Sequence, residues 1–157
     1  FQECIMIEIK ENQELNIVNL LSFRGTVQQV ELENIGKEMK DYIQNVGAKM
    51  VGNPITATYA MEGDAIDVEL LMPIDKCVDS TDKFGFKNQI KIVNAVIATY
   101  KGHPIGLQEA CNELNQYIME HRLQPITVGY NITKKTDMSN PEHTEIDVCV
   151  GINPNIL

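Results

Sequence analysis

Residues 100–123 read YKGHPIGLQEACNELNQYIMEHRL. The run opens as a strand end, turns at Gly102 and Pro104, and continues as a helix. Proline suits a first helical turn, where the missing N–H has no intrahelical partner to lose. Leu107, Ala110, Cys111, Leu114, Tyr117 and Ile118 then recur at helical spacing and form one apolar stripe. The spacing predicts a helix over 105–121.

The same pattern occurs once earlier in the chain. Leu32, Ile35, Met39, Tyr42, Ile43 and Val46 form a stripe over 30–46, with Gly47 as a C-terminal stop. The two helices superpose at an offset of 75, pairing Leu32 with Leu107, Met39 with Leu114 and Tyr42 with Tyr117. The flanking strands repeat as well. Ile-Val-Asn stands at 17–19 and at 92–94, and Ile-Asp-Val at 66–68 and at 146–148.

Working outward, 4–9 reads as a strand, Lys10–Glu14 as a polar turn, and 15–24 as a second strand. Strands at 55–61 and 65–72 flank a Glu62-Gly63-Asp64 hairpin turn. Residues 73–87 are polar and punctuated by Pro, Gly, Ser and Asp, and read as a connector. Strands at 89–101, 125–134 and 144–152 complete the second set, with 136–143 as a loop. The expectation is a single α+β domain over 1–157. It is built from duplicated βαββ modules, half one at 1–72 and half two at 88–157. They would form an antiparallel sheet with both helices on one face and a groove between the halves.

Composition narrows the function. Thirteen Lys and Arg stand against 22 Asp and Glu, a formal charge of −9. That balance argues against binding a phosphate backbone, so no nucleic-acid partner is expected. No apolar run is long enough to span a bilayer, and no signal-peptide pattern opens the chain, so no membrane association is expected. Cys4, Cys77, Cys111 and Cys149 are widely spaced, with no Cys/His cluster. Neither metal nor cofactor is expected, and Cys111 and Cys149 read as buried reduced thiols in a cytoplasmic setting.

Alternation along the last strand puts Glu145, Asp147 and Cys149 on one face and Ile146, Val148 and Val150 on the other. The related strand does the same with Asp67 and Glu69 against Ile66, Val68 and Leu70. A sheet face away from the helices would therefore carry four acids. The plain alternative is a half-buried strand with its acids in water. Tyr59, Tyr100 and Tyr130 are candidate aromatic faces, with Met61 and Met72 as adaptable apolar lining. Of the histidines, His103 and His121 read as a turn residue and a helix end, and His143 stands just before Glu145. No GxSxG, HExxH or phosphate-cradling glycine loop occurs.

The run Ala98–Leu107 (ATYKGHPIGL) with its helix to Ile118, the segment Thr144–Ile146, and the stretches Ile7–Glu11 and Val18–Gly25 resemble the GyrI-like effector-binding family. That family includes gyrase-inhibitor-like proteins and the ligand domains of multidrug-responsive regulators. The resemblance implies a two-βαββ fold, here as a stand-alone module, that binds small hydrophobic or cationic molecules. It implies that Glu145 opens the last strand as the acid that meets a cation. The expected ligand-binding residues are Glu145, Tyr100, Tyr59, Tyr130, Glu69 and Met72, with no catalytic residue. The rival expectations are a protein-interaction module, as in gyrase inhibition, and a small-molecule hydrolase using Glu145 to orient water.

Overall fold

A computed structural model describes residues 6–136 and 139–155. Its elements run β1 (Met6–Gln28), α1 (Leu32–Asn45), β2 (Ile55–Glu62), β3 (Ala65–Pro73), β4 (Gly85–Lys101), α2 (Leu107–Glu120), β5 (Pro125–Lys135) and β6 (Glu145–Ile152). The fold is α+β, with antiparallel strand pairs and two helices.

The β-α-β-β order occurs twice, with the same pairing each time. β1 pairs with β3 and β3 with β2. β4 pairs with β6 and β6 with β5. Thr26 stands opposite Asp67 in the first set, and Thr99 opposite Asp147 in the second. Both helices are 14 residues long, each follows a single 3-10 turn, and their buried positions correspond: Ile35, Met39 and Ile43 in α1, Ala110, Leu114 and Ile118 in α2. Even the stop is repeated. Gly47 (φ 75°) and Arg122 (φ 54°) both take the left-handed conformation just past a helix end.

Two compact units result. A middle unit spans Asn16–Lys91, and a flanking unit takes Phe1–Leu15 and Ile92–Leu157. In the middle unit, α1 covers one sheet face with Leu21, Phe23, Ile66, Val68 and Met72 beneath Ile35, Met39 and Ile43. In the flanking unit, α2 sets Leu114 and Ile118 on Val96, Ala98, Val148 and Val150. Each fully buried side chain of Leu, Ile or Met size contributes about 1.5–3 kcal/mol of transfer free energy, so these stripes hold each helix to its strands.

The first strand differs from expectation. Lys10–Glu14 is not a turn but part of one 23-residue strand, in which Asn12 (φ 58°) and Asn19 (φ 57°) take positive φ. The run KENQE is polar but holds neither Gly nor Pro, and polarity alone does not turn a chain. Side-chain exposure alternates along 7–19, as an extended strand with one wet face requires. Residues 4 and 5 of the expected first strand, and Cys4, lie outside the described residues. β4 begins at Gly85, four residues before the expected start, and β3 runs on through Pro73. The hairpin turn at Gly63 (φ 59°) follows the sequence reading. Among the described residues, no helix is long and apolar enough to cross a membrane.

Candidate functional site

Register decides which side chains share a face. In the middle unit Arg24 stands opposite Glu69, and Ala57 of β2 stands opposite Glu69 on its other side. These residues point away from α1. β2 carries an irregularity between Thr58 and Ala60, which leaves Tyr59 as an extra residue in the pairing. Such a bulge re-aims a side chain, and here the Tyr59 hydroxyl donates to Glu69 Oε1 at 3.3 Å. The second carboxylate oxygen of Glu69 accepts from Lys87 Nζ at 2.6 Å. Glu69 is 4% exposed, whereas the side chain of Lys87 is 42% exposed.

A second cation lies on the ring. The Arg24 guanidinium sits 3.5 Å from the Tyr59 ring centroid. It is held there by Asp67 through two bonds, Nε to Oδ1 at 2.9 Å and the terminal nitrogen to Oδ2 at 3.0 Å. This fork geometry is the strong form of an Arg–carboxylate pair. The hydrogen bond from Arg24 holds Asp67 below its ordinary value, and the same bond raises Arg24. The result is a continuous chain of contacts from Asp67 through Arg24, Tyr59 and Glu69 to Lys87. Around it, Leu20, Leu71, Ile55 and Ala57 are fully buried.

The flanking unit has a simpler arrangement at the related strand. Asp147, 9% exposed, accepts from Thr99 Oγ1 at 2.7 Å and pairs with Lys134 Nζ at 3.2 Å. Cys149 is fully buried, and burial, with the Asp147 charge adding, pushes its thiol up to about 11. A thiol so placed stays protonated and inert near neutral pH. Tyr130 pairs with Cys149 in register and is half-buried. Glu145, also half-buried, stands between Lys101 and Lys135 in register and lines an open cavity of about 390 Å³ with them, Glu142, His143 and Thr144.

The structure thus brings Tyr59 and Glu69 into contact and places the other expected residues elsewhere. Met72 faces α1 within the hydrophobic core. Tyr100 pairs with Ile146, so it lies on the α2 side of its sheet, where its hydroxyl donates to the His103 carbonyl at 2.5 Å. A Cβ at Gly106 would stand 2.3 Å from that hydroxyl, and one at Gly102 2.8 Å from it. The glycines of the opening motif therefore let the turn close over Tyr100. Burial raises the Tyr100 hydroxyl, and Glu109 adds to the effect.

Arg24, Lys87, Thr99 and Lys134 were not among the residues expected from sequence. Arg24 alone carried a signal, as an arginine directly after the largely apolar run Leu20–Phe23. The lysines become visible only through side-chain ion pairs made between strands. Among the described residues, no group of three or more His, Cys, Asp or Glu side chains is arranged to hold a metal ion.

No protein-family model and no curated protein matches the chain. Solved structures do. The C-terminal domain of EcmrR matches with a TM-score of 0.74 at 17% identity, over 96% of this chain and 99% of that one. In the EcmrR–DNA complex the match spans 57% of the EcmrR chain and 95% of this one, with a TM-score of 0.72 at 16% identity. SAV2435, solved with tetraphenylphosphonium bound, matches with a TM-score of 0.54 at 7% identity, over 95% and 94% of the two chains. A hydrolase from Listeria innocua matches with a TM-score of 0.58 at 12% identity, over 94% and 91%. At these identities the likeness is one of fold, and the fold is the one that the GyrI-like resemblance in the sequence implies.

Proposed function

We propose that this chain binds a small molecule rich in aromatic rings, and that Tyr59 and Glu69 are its recognition pair. One observation carries the reading. A nearly fully buried carboxylate, Glu69, is held by the hydroxyl of a tyrosine that is itself 37% exposed, on the sheet face away from α1. Buried acids are rare unless something is gained by keeping them, and functional sites are where such groups concentrate. A partly exposed ring beside one offers both an apolar surface and a polar handle. The fold shared with SAV2435, solved with tetraphenylphosphonium, and with the EcmrR C-terminal domain supports the same reading.

The charged role is assigned to Glu69 rather than to Glu145. Glu145 is flanked by two lysines at an open surface, where solvent weakens any single charge. The test is calorimetric titration with tetraphenylphosphonium and with triphenylphosphine oxide, an uncharged molecule of similar ring content. At least one should bind the parent, and Tyr59→Ala should weaken that binding about tenfold or more, as loss of a central aromatic contact does. Equal binding by parent and Tyr59→Ala would remove the role given to this site.

A further inference from the structure

We infer that Lys87 is a built-in counter-ion, occupying the place a cationic ligand would take at Glu69, so that the resting site prefers an uncharged aromatic molecule to a cation of the same shape. The inference rests on the reading of Tyr59 and Glu69 given above and names the ligand class for that site.

Two features attract an organic cation to a pocket, a desolvated carboxylate and an aromatic face. Both are already engaged here. The carboxylate of Glu69 spends one oxygen on the Tyr59 hydroxyl and the other on Lys87 Nζ at 2.6 Å. The Tyr59 ring carries the Arg24 guanidinium at 3.5 Å. The local charges are Asp67 and Glu69 against Arg24 and Lys87, which cancel. An incoming cation therefore meets no net attraction and must first displace a short ion pair.

The two resident cations are not equally removable. Arg24 is pinned by a bidentate bond to Asp67. Lys87 has one ion-pair partner among the described contacts, and its side chain is 42% exposed, so its ammonium reaches water by rotating a flexible stem. Lys87 is thus the gate on cation entry. An uncharged ligand needs no such displacement. It gains the apolar surface of Tyr59 while the Lys87–Glu69 pair stays closed and Glu69 keeps its partner.

The experiment compares the ratio of affinities for triphenylphosphine oxide and tetraphenylphosphonium in the parent and in Lys87→Met, Lys87→Gln and Lys87→Arg. The parent should prefer the uncharged probe. Lys87→Met and Lys87→Gln leave Glu69 as an uncompensated buried acid, and the ratio should move toward the cation by about tenfold or more. Lys87→Arg restores the positive charge and should restore the parent's preference. Circular dichroism and the urea midpoint of each variant confirm the fold. An unchanged ratio in Lys87→Met and Lys87→Gln, with either probe still bound, overturns the counter-ion and leaves the site reading standing. Binding of neither probe by the parent or any variant overturns the site reading, and the counter-ion falls with it.

Discussion

The two units repeat one frame and furnish it differently. Both set a threonine opposite an aspartate between their first and last strands, at Thr26 with Asp67 and at Thr99 with Asp147. In the flanking unit that pair closes on itself, because Thr99 donates directly to Asp147 and Lys134 completes the charge balance. In the middle unit Asp67 turns instead to Arg24, which reaches the Tyr59 ring and so connects Asp67 to Glu69. Directly after the shared Ile-Asp-Val, the middle unit has Glu69 and the flanking unit has Cys149. Both are buried, but one is a paired acid and the other a protonated thiol. Packing is what the repeats share. The polar groups on the far face of the strand are where they diverge, and that divergence is why the ligand site is assigned to the middle unit alone.

The largest effects should come from the shared part. Met39 is fully buried and Leu114 nearly so, at equivalent places on the two helix stripes. Met39→Ala and Leu114→Ala should each cost about 2–5 kcal/mol in urea denaturation, the usual range for truncating a buried side chain. A cost well under the lower bound for one of them alone would break the equivalence of the two stripes.

A smaller effect belongs to the furnishing. The Cys149 thiol is raised from 9.0 to about 11 by burial, so the folded state holds its proton more tightly than the unfolded chain does. Its contribution to stability is therefore intact below about pH 9 and is lost as pH rises from there through about 11, by roughly 2–3 kcal/mol at most. Urea midpoints across that range should fall more steeply in the parent than in Cys149→Ala. Thiol labelling at about pH 8 should modify exposed Cys77 readily and leave Cys149 unmodified until the protein unfolds. Equal labelling of the two would contradict the burial.

Much of this comparison was legible in the sequence. The helix stripes, the hairpin at Gly63 and the stop at Gly47 all follow from local chemistry, periodicity and turn residues, which act within a few positions. The continuity of β1 was not legible, because Lys10–Glu14 looks like a turn until its alternation with the apolar residues on either side is read as strand. The face occupied by Tyr100 was also hidden. Alternation had already put Ile146 on the helix side, but only the register shows that Tyr100 stands opposite it. The contacts of Glu69 with Tyr59 and Lys87 depend on a bulge and on a distant strand, and neither leaves a mark in local sequence.

The smallest expected effects lie at the helix stops. Gly47 and Arg122 hold the same left-handed position, which costs a residue with a Cβ about 1–2 kcal/mol. Gly47→Ala should lower stability by about 1 kcal/mol, and Arg122→Gly should raise it by up to about 1 kcal/mol, less what glycine adds to the freedom of the unfolded chain. Opposite signs would sharpen the correspondence between the repeats, and a shared sign would break it.

Everything proposed for ligand binding rests on a site at Tyr59 and Glu69. Backbone and side-chain NMR shifts recorded during titration with triphenylphosphine oxide test this most directly. The largest changes should fall on Tyr59, Glu69, Ala57 and Arg24. Changes confined to the surroundings of Glu145, or to Tyr130 and Asp147, would contradict it.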